Sequence, residues 1–264
     1  LDVNIVQDEN GNTPVHRAVI NNDYTELTQA LNEQNVNVNA LNNDSHTALH
    51  IAANAVYTNT EIIRTLIQQG ANVNAQDPDG NTPLHFSTEN ENVEIAQVLI
   101  DEGAVVDARN EALATPLHFC AEDESNIEVL EALIQAGADI NAQDQDGDTA
   151  LHIAAEMNNN IEVFEALIDK PGINLNIRNN DGKTPLDLAR ERNNTEIIQI
   201  LENAEASQAL NNTGIDNNQS RDIDIEANNT EIIKTDANSP FRTFLKRFLR
   251  AIGTFLINLF RRNR

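Results

Sequence analysis

Cysteine is nearly absent. Cys120 is the one thiol in 264 residues, so no intrachain disulfide can form, and a reducing, intracellular compartment is the expected home. Bases are scarce as well: 17 Lys and Arg stand against 42 Asp and Glu, a formal net charge of −25. That balance lacks the basic face on which non-specific nucleic-acid binding depends, so no nucleic-acid partner is expected. No uncharged apolar run reaches the roughly 20 residues of a spanning helix, and the first residues lack the basic-then-apolar pattern of a secretory signal. Catalytic signatures are missing too, with no His-Glu-x-x-His and no Gly-x-Ser-x-Gly. Asp181-Gly-Lys-Thr184 resembles the end of a phosphate-binding loop, but the first glycine of that motif would fall at Ile177. The expectation is a chain that is not an enzyme and takes no cofactor or metal.

The charge is unevenly spread. Residues 1–202 hold 35 acids and 8 bases, residues 203–239 hold 7 acids and 2 bases, and residues 240–264 hold 7 bases and no acid. A strongly acidic body therefore ends in a strongly basic tail.

Within the body one pattern recurs. Thr13-Pro-Val-His16, Thr47-Ala-Leu-His50, Thr82-Pro-Leu-His85, Thr115-Pro-Leu-His118, Thr149-Ala-Leu-His152 and Thr184-Pro-Leu-Asp187 follow one another at 33 to 35 residues. Each precedes an apolar helical stripe such as Ile127-Glu-Val-Leu-Glu-Ala-Leu-Ile134. Most stripes end in a turn such as Gly137-Ala-Asp-Ile-Asn-Ala142. Thr suits a helix cap and Pro its first position, while Gly70, Gly103 and Gly137 suit the left-handed residue that ends a helix. Runs such as Asp77 to Gly80 are turn formers.

These residues resemble the ankyrin repeat over roughly residues 8–202. The resemblance implies an all-α fold, an α-solenoid of six stacked helix pairs with β-hairpin fingers, because neither helix of a pair can bury its apolar face alone. Repeats are expected near 8–40, 41–75, 76–108, 109–142, 143–177 and 178–202. Residues 203–239 read as an acidic, Asn-rich flexible linker, although Asn228-Asn-Thr-Glu-Ile-Ile233 echoes Asn193-Asn-Thr-Glu-Ile-Ile198 and leaves a decayed seventh repeat as an alternative. Asn43-Asp-Ser-His46 and Glu111-Ala-Leu-Ala114 lack the turn glycine, so fingers two and four are expected to differ from the rest. Lys170-Pro-Gly172 is an insertion, and the polar last repeat reads as a cap. Val3-Asn-Ile-Val-Gln-Asp8 looks like the close of a preceding repeat, and a missing upstream repeat would also account for the opening Leu1.

Five of the six histidines occupy the repeated tetrapeptide. Equivalent positions on helices about 8–10 Å apart cannot share a metal, so these rings are expected to bond the adjacent finger backbone. His46 is expected at a finger tip as an exposed loop residue. Cys120, followed by three acids after Ala121, reads as a buried apolar group rather than a nucleophile.

Ankyrin proteins usually bind protein partners with finger tips and inner helices. By position, the resemblance assigns Glu9, Asp44, Asp79, Glu111, Asp146 and Asp181 to the tips. It assigns Glu89, Asn90, Glu122, Asp123, Glu156, Met157 and Glu191 to the inner-helix ends. That carboxylate row predicts a protein partner with a basic surface, recruited by complementary potential. The competing reading is an acidic domain with acids everywhere.

After Pro240, Phe241, Phe244, Leu245, Phe248, Leu249, Ile252, Phe255, Leu256, Leu259 and Phe260 trace an apolar helical stripe. Lys246, Arg247 and Arg250 are among the bases on the other face. A helix lying in an anionic membrane surface fits this pattern. A partner's groove, or the acidic body itself, remains an open alternative occupant. The expected protein is a peripheral membrane adaptor. Asn-rich ankyrin proteins of this look are similar to those that intracellular and symbiotic bacteria deliver into host cytosol. The alternative is the recognition part of a larger enzyme or toxin.

Overall fold

The structure, a computed structural model, describes residues 7–89, 92–122, 127–157 and 161–212. The chain divides into two units, residues 1–208 and 209–264. The basic tail and the candidate seventh repeat lie outside the described residues.

Twelve α-helices form among the described residues, in six pairs. The first members are α1 (Pro14–Ile20), α3 (Ala48–Asn54), α5 (Pro83–Phe86), α7 (Pro116–Glu122), α9 (Ala150–Met157) and α11 (Pro185–Glu191). The second members are α2 (Tyr24–Leu31), α4 (Thr60–Gln68), α6 (Val93–Asp101), α8 (Ile127–Gln135), α10 (Ile161–Ile168) and α12 (Thr195–Asn212). Successive first helices pack on each other, and α2, α4, α6, α8 and α10 form a second row. Leu49, Leu84, Leu117 and Leu151 sit between the rows at no more than 1 % exposure. Cys120 is buried beside them.

Five of the six first helices start from a Thr–His cap. In repeat four the Thr115 N–H donates to His118 Nδ1 at 3.1 Å, and the Thr115 hydroxyl lies 2.9 Å from the same nitrogen. A ring nitrogen that accepts a backbone proton carries none itself, so Nε2 must be the protonated nitrogen. Nε2–H then donates to the next finger: His16 to the His46 carbonyl, His50 to Ala75, His85 to Ala114, His118 to Asp148 and His152 to Lys183, at 3.0–3.2 Å. The last repeat substitutes Asp187, whose carboxylate accepts from both the Thr184 N–H and hydroxyl. A carboxylate reproduces the Nδ1 role but cannot donate onward.

The fingers form as hydrogen-bonded turns, and no strand forms among the described residues, so the β-hairpin form of the fingers is not shown. In finger three Asp77 Oδ1 accepts from the N–H of Asp79 and of Asn81, while the Gly80 N–H closes on the Asp77 carbonyl. Limbs this short leave no room for a ladder. Neighbouring fingers share one backbone rung at the tip: Asn43 N–H to Asn10 O, Glu111 to Asp79, Gln145 to Ala112 and Asn180 to Asp146, at 2.8–3.0 Å. The rung between fingers two and three is missing because Pro78 occupies the donor position and has no N–H.

Fingers two and four do not differ in backbone conformation as expected. Ser45 (φ 62°) and Leu113 (φ 58°) take the left-handed conformation that Gly80 (φ 79°) and Gly147 (φ 77°) take in their own fingers. For a side-chain-bearing residue that costs on the order of 1–2 kcal/mol. The turn is enforced by the repeated finger bonds rather than by glycine. Glycine is required where the next finger crowds it, since a Cβ on Gly80 would meet the Glu111 nitrogen at 2.9 Å.

A second set of staples uses asparagine amides. Asn39 donates through Nδ2 to the Gly70 carbonyl and accepts through Oδ1 from the Asn72 N–H. Asn74 does the same with Gly103 and Val105, and Asn141 with Gly172 and Asn174. Pro171 and Gly172 of the insertion therefore leave this register intact. Asp107 holds the equivalent place but only accepts, from the Asp139 N–H at 2.9 Å. Its carboxylate has no proton for the Gly137 carbonyl.

The end of the stack departs from expectation. Instead of stopping at 202, α12 continues to Asn212, because Ala204, Glu205, Ala206 and Gln208 are good helix formers and Gln208 Nε2 donates back to the Ile173 carbonyl at 3.2 Å.

Two measurements check this account. Asp107→Asn restores the missing donor and is expected to raise unfolding free energy by about 0.5–1.5 kcal/mol, read as a higher urea midpoint at unchanged slope. Burial holds His16, His50, His85, His118 and His152 below their usual range despite their carbonyl acceptors. The neutral form is thus favoured in the fold, and stability present above about pH 6.5 is lost as pH falls toward the depressed folded values. Each such histidine contributes up to about 1.4 kcal/mol per pH unit in that window. Urea titrations at about pH 7.5, 6.5 and 5.5 are expected to show little change over the first step and a drop over the second.

Candidate partner-binding surface

The first residue of each finger spends its side chain on the turn, which leaves the tip residues unused. Asp8, Asn42, Asp77, Asp144 and Asn179 each accept two backbone N–H groups across their own turn. Glu9, Asp44, Asp79, Glu111, Asp146 and Asp181 are exposed. At the helix ends, Glu89 closes a 3₁₀ turn (Ser87–Glu89) after α5, Glu122 ends α7, Glu156 lies near the end of α9 and Glu191 ends α11. Asn90 and Asp123 lie outside the described residues, as does the side chain of Met157.

The row is not electrically uniform. In repeats five and six some acids meet the chain's own cations, as Arg192 reaches Glu156 at 2.5 Å, Lys183 reaches Glu191 at 2.8 Å and Arg178 reaches Asp187 at 3.7 Å, while Asp146 and Asp181 form no ion pair among the described residues. Glu156, Lys183, Glu191 and Arg192, with Asp146, Asp148, Asn179 and Asp181, line a cleft of about 450 Å³ floored by Leu188. Asp181 and Glu156 add to the field that raises Lys183 after its bond to Glu191. In repeats three and four, Asp79, Glu89, Glu111 and Glu122 form no ion pair among the described residues. Burial pushes Glu89 and Glu122 above the usual carboxylate range. The Asp144 charge adds to the rise at Glu122, and His46 opposes it at Glu89. Both residues as a whole are exposed.

The structure adds a floor that sequence reasoning missed. The residue after each tetrapeptide histidine forms a column, with Ile51, Phe86, Phe119 and Ile153 only partly buried. Phe86 packs edge-to-face against His46 and His50, at centroid distances of 5.0 and 5.3 Å, and Phe119 against His85 at 5.3 Å. His46 is therefore not a free tip residue. Its side chain is 29 % exposed, lies 3.9 Å from the Asp77 carboxylate, and covers one edge of Phe86. The fixed offset from His was the signal available. The identities, Arg17, Ile51, Phe86, Phe119, Ile153 and Leu188, vary too much to register as a motif.

Among the described residues no group of three His, Cys, Asp or Glu side chains is placed to hold a metal, and no helix is long and apolar enough to cross a membrane. What the surface offers is carboxylates and two phenylalanine rings on a framework of stacked helices.

Comparison with family models matches "Ankyrin repeats (3 copies)" at residues 1–77, 54–144 and 117–212. The chain belongs to the ankyrin-repeat family. Repeats of this family generally mediate protein–protein interaction and are typically binding modules rather than catalysts. A search of curated proteins finds no match, so the resemblance to host-directed bacterial ankyrin proteins gains no support from a relative.

Ionised Glu89 and Glu122 oppose folding, because their folded values are raised. Glu89→Gln with Glu122→Gln is expected to raise the urea midpoint at pH 7, and the gain is expected to vanish below about pH 4, where both carboxyls are protonated in folded and unfolded chains alike. An equal gain at both pH values would contradict the placement of these groups.

Proposed function

We propose that this protein is an adaptor whose ankyrin groove captures a partner protein with a basic surface, while residues 240–264 attach the chain to an anionic membrane surface. The observation that carries the first part is the row of exposed carboxylates from Glu9 to Asp181, of which Asp79, Glu89, Glu111 and Glu122 lack a cation of the chain's own. A partner's Lys or Arg would supply it, and the summed field would chiefly speed association. Support for the second part is the stripe from Phe241 to Phe260 with seven bases around it. Near an anionic surface each base contributes about 1 kcal/mol. The linker reading of residues 213–239 lies outside the described residues.

Proximity labelling with the full chain identifies the partner, and the triple change Asp79→Lys, Glu122→Lys and Asp146→Lys tests the groove. Affinity for that partner is expected to fall at least about tenfold, a loss of 1.4 kcal/mol, and wild-type affinity to fall as salt rises. An unchanged affinity refutes the groove reading. In co-sedimentation, the full chain is expected to bind vesicles of phosphatidylserine and phosphatidylcholine. Phe248→Asp with Leu249→Asp is expected to abolish it. Binding that survives the double change assigns the tail to a partner's groove or to the acidic body instead.

A further inference from the structure

The helix-end acids of the candidate groove differ along the row, although the tip acids Asp146 and Asp181, like those of repeats three and four, form no ion pair among the described residues. In repeats five and six, Glu156 and Glu191 are already engaged by Arg192 and Lys183 at 2.5 and 2.8 Å. A partner's lysine arriving there must first displace an arginine or lysine, and the net gain of such an exchange is small because both states hold an ion pair. In repeats three and four no exchange is needed. Arg109, at the foot of finger four, forms no ion pair with the nearby acids among the described residues, so Asp79, Glu89, Glu111 and Glu122 remain without a counter-charge.

The same central repeats carry the apolar floor. Phe86 and Phe119 are the only phenylalanines of the first-helix row, partly exposed and held edge-on by His50 and His85, whose rings are fixed at both nitrogens. Rigid rings of this kind present contact area at little entropic cost, and aromatic anchors ringed by polar groups dominate binding energy at interfaces. Ile51 and Ile153 continue the floor on either side. Beside Phe86, His46 of finger two lies 3.9 Å from the Asp77 carboxylate of finger three.

We propose that the groove reads a segment of its partner in which apolar side chains alternate with Lys or Arg, and that this segment seats on repeats three and four, apolar groups on Phe86 and Phe119, bases on Asp79, Glu89, Glu111 and Glu122. The inference rests on the adaptor reading and adds to it the chemistry and the position of the recognised segment. Charge complementarity selects this occupant: a purely apolar segment would leave four carboxylates desolvated without compensation, and a purely basic one would leave two rings uncovered.

Two labelled synthetic peptides of equal charge test it against the full chain by fluorescence anisotropy. One repeats Leu-Lys-Arg-Ser and the other Ser-Lys-Arg-Ser. The leucine peptide is expected to bind at least about tenfold more tightly, which is 1.4 kcal/mol. Phe86→Ala with Phe119→Ala is expected to erase that preference while leaving the serine peptide's affinity unchanged. Far-UV circular dichroism reports whether this variant keeps its fold. Glu89→Gln with Glu122→Gln, which leaves the floor intact, is expected to weaken both peptides, whereas Glu156→Gln with Glu191→Gln is expected to weaken neither. Equal affinity for the two peptides overturns the inference, as does a preference that survives loss of both rings in a folded variant, an equal effect of the terminal glutamates, or no binding of either peptide. If the triple lysine change still abolishes capture of the labelled partner in any of these cases, the adaptor reading stands and only the segment's chemistry and position fall.

Discussion

One neutral imidazole ring, used five times, links this stack. Its Nδ1 accepts from the threonine amide that opens its own helix, which leaves the proton on Nε2, and Nε2 donates to a carbonyl of the following finger. The first contact is local and the second reaches 25 to 31 residues along the chain. Each ring therefore ties helix initiation in one repeat to finger placement in the next, and the direction of the bond gives the array a polarity. Protonation would remove the Nδ1 acceptor and place a charge in a site where the side chain is buried. The final Asp187 follows from the same logic: the acceptor function is kept where a helix must still be capped, and the donor function is dropped where no further finger is described.

Asparagine does the equivalent task on the other side of each helix pair. A carboxamide donates from one atom and accepts at another, and Asn39, Asn74 and Asn141 use both ends on a single neighbouring loop. Their bonds replace what a sheet ladder would have provided, since the fingers share only one backbone rung apiece. The Asn-rich composition of the chain thus has a structural account at these positions and in the finger turns. Asp107 is the exception that tests the rule, because it differs from asparagine only in what it cannot donate.

Much of the fold was legible because it is periodic. Thr-Pro-Leu-His announces the helix start, the cap and the inter-repeat bond together, and the spacing of 33 to 35 residues makes stacking unavoidable for faces that cannot bury themselves. The failures have a common cause. A missing glycine suggested altered fingers, yet Ser45 and Leu113 accept a strained φ because the finger's own bonds and its neighbour's rung outweigh a cost of about 1–2 kcal/mol. His46 read as a loose tip residue because its partner Phe86 is 40 positions away. The end of α12 was missed because the polar composition of residues 203–212 suggested a linker, while their helix propensity and the Gln208 contact decided otherwise. Tip acids could be placed from the sequence. Which of them the chain neutralises for itself could not, since that depends on Arg192 lying opposite Glu156 from 36 residues away.

The distribution of cations carries the last step. Eight bases serve 35 acids in residues 1–202, and a chain selected for stability alone would spread them among the acids that are most crowded. Burial raises Glu89 and Glu122, and neither forms an ion pair among the described residues, while Lys183, Arg190 and Arg192 gather in the terminal repeat against Glu191, Glu202 and Glu156. At the terminus such pairing suits a helix pair with fewer neighbours. In the centre, exposed carboxylates that form no ion pair among the described residues share repeats three and four with two partly buried phenylalanine rings, the arrangement of a surface kept for something outside the chain. A partner that brings its own bases to Phe86 and Phe119 would compensate those carboxylates only in the bound state, turning a cost of the free protein into selectivity for its ligand.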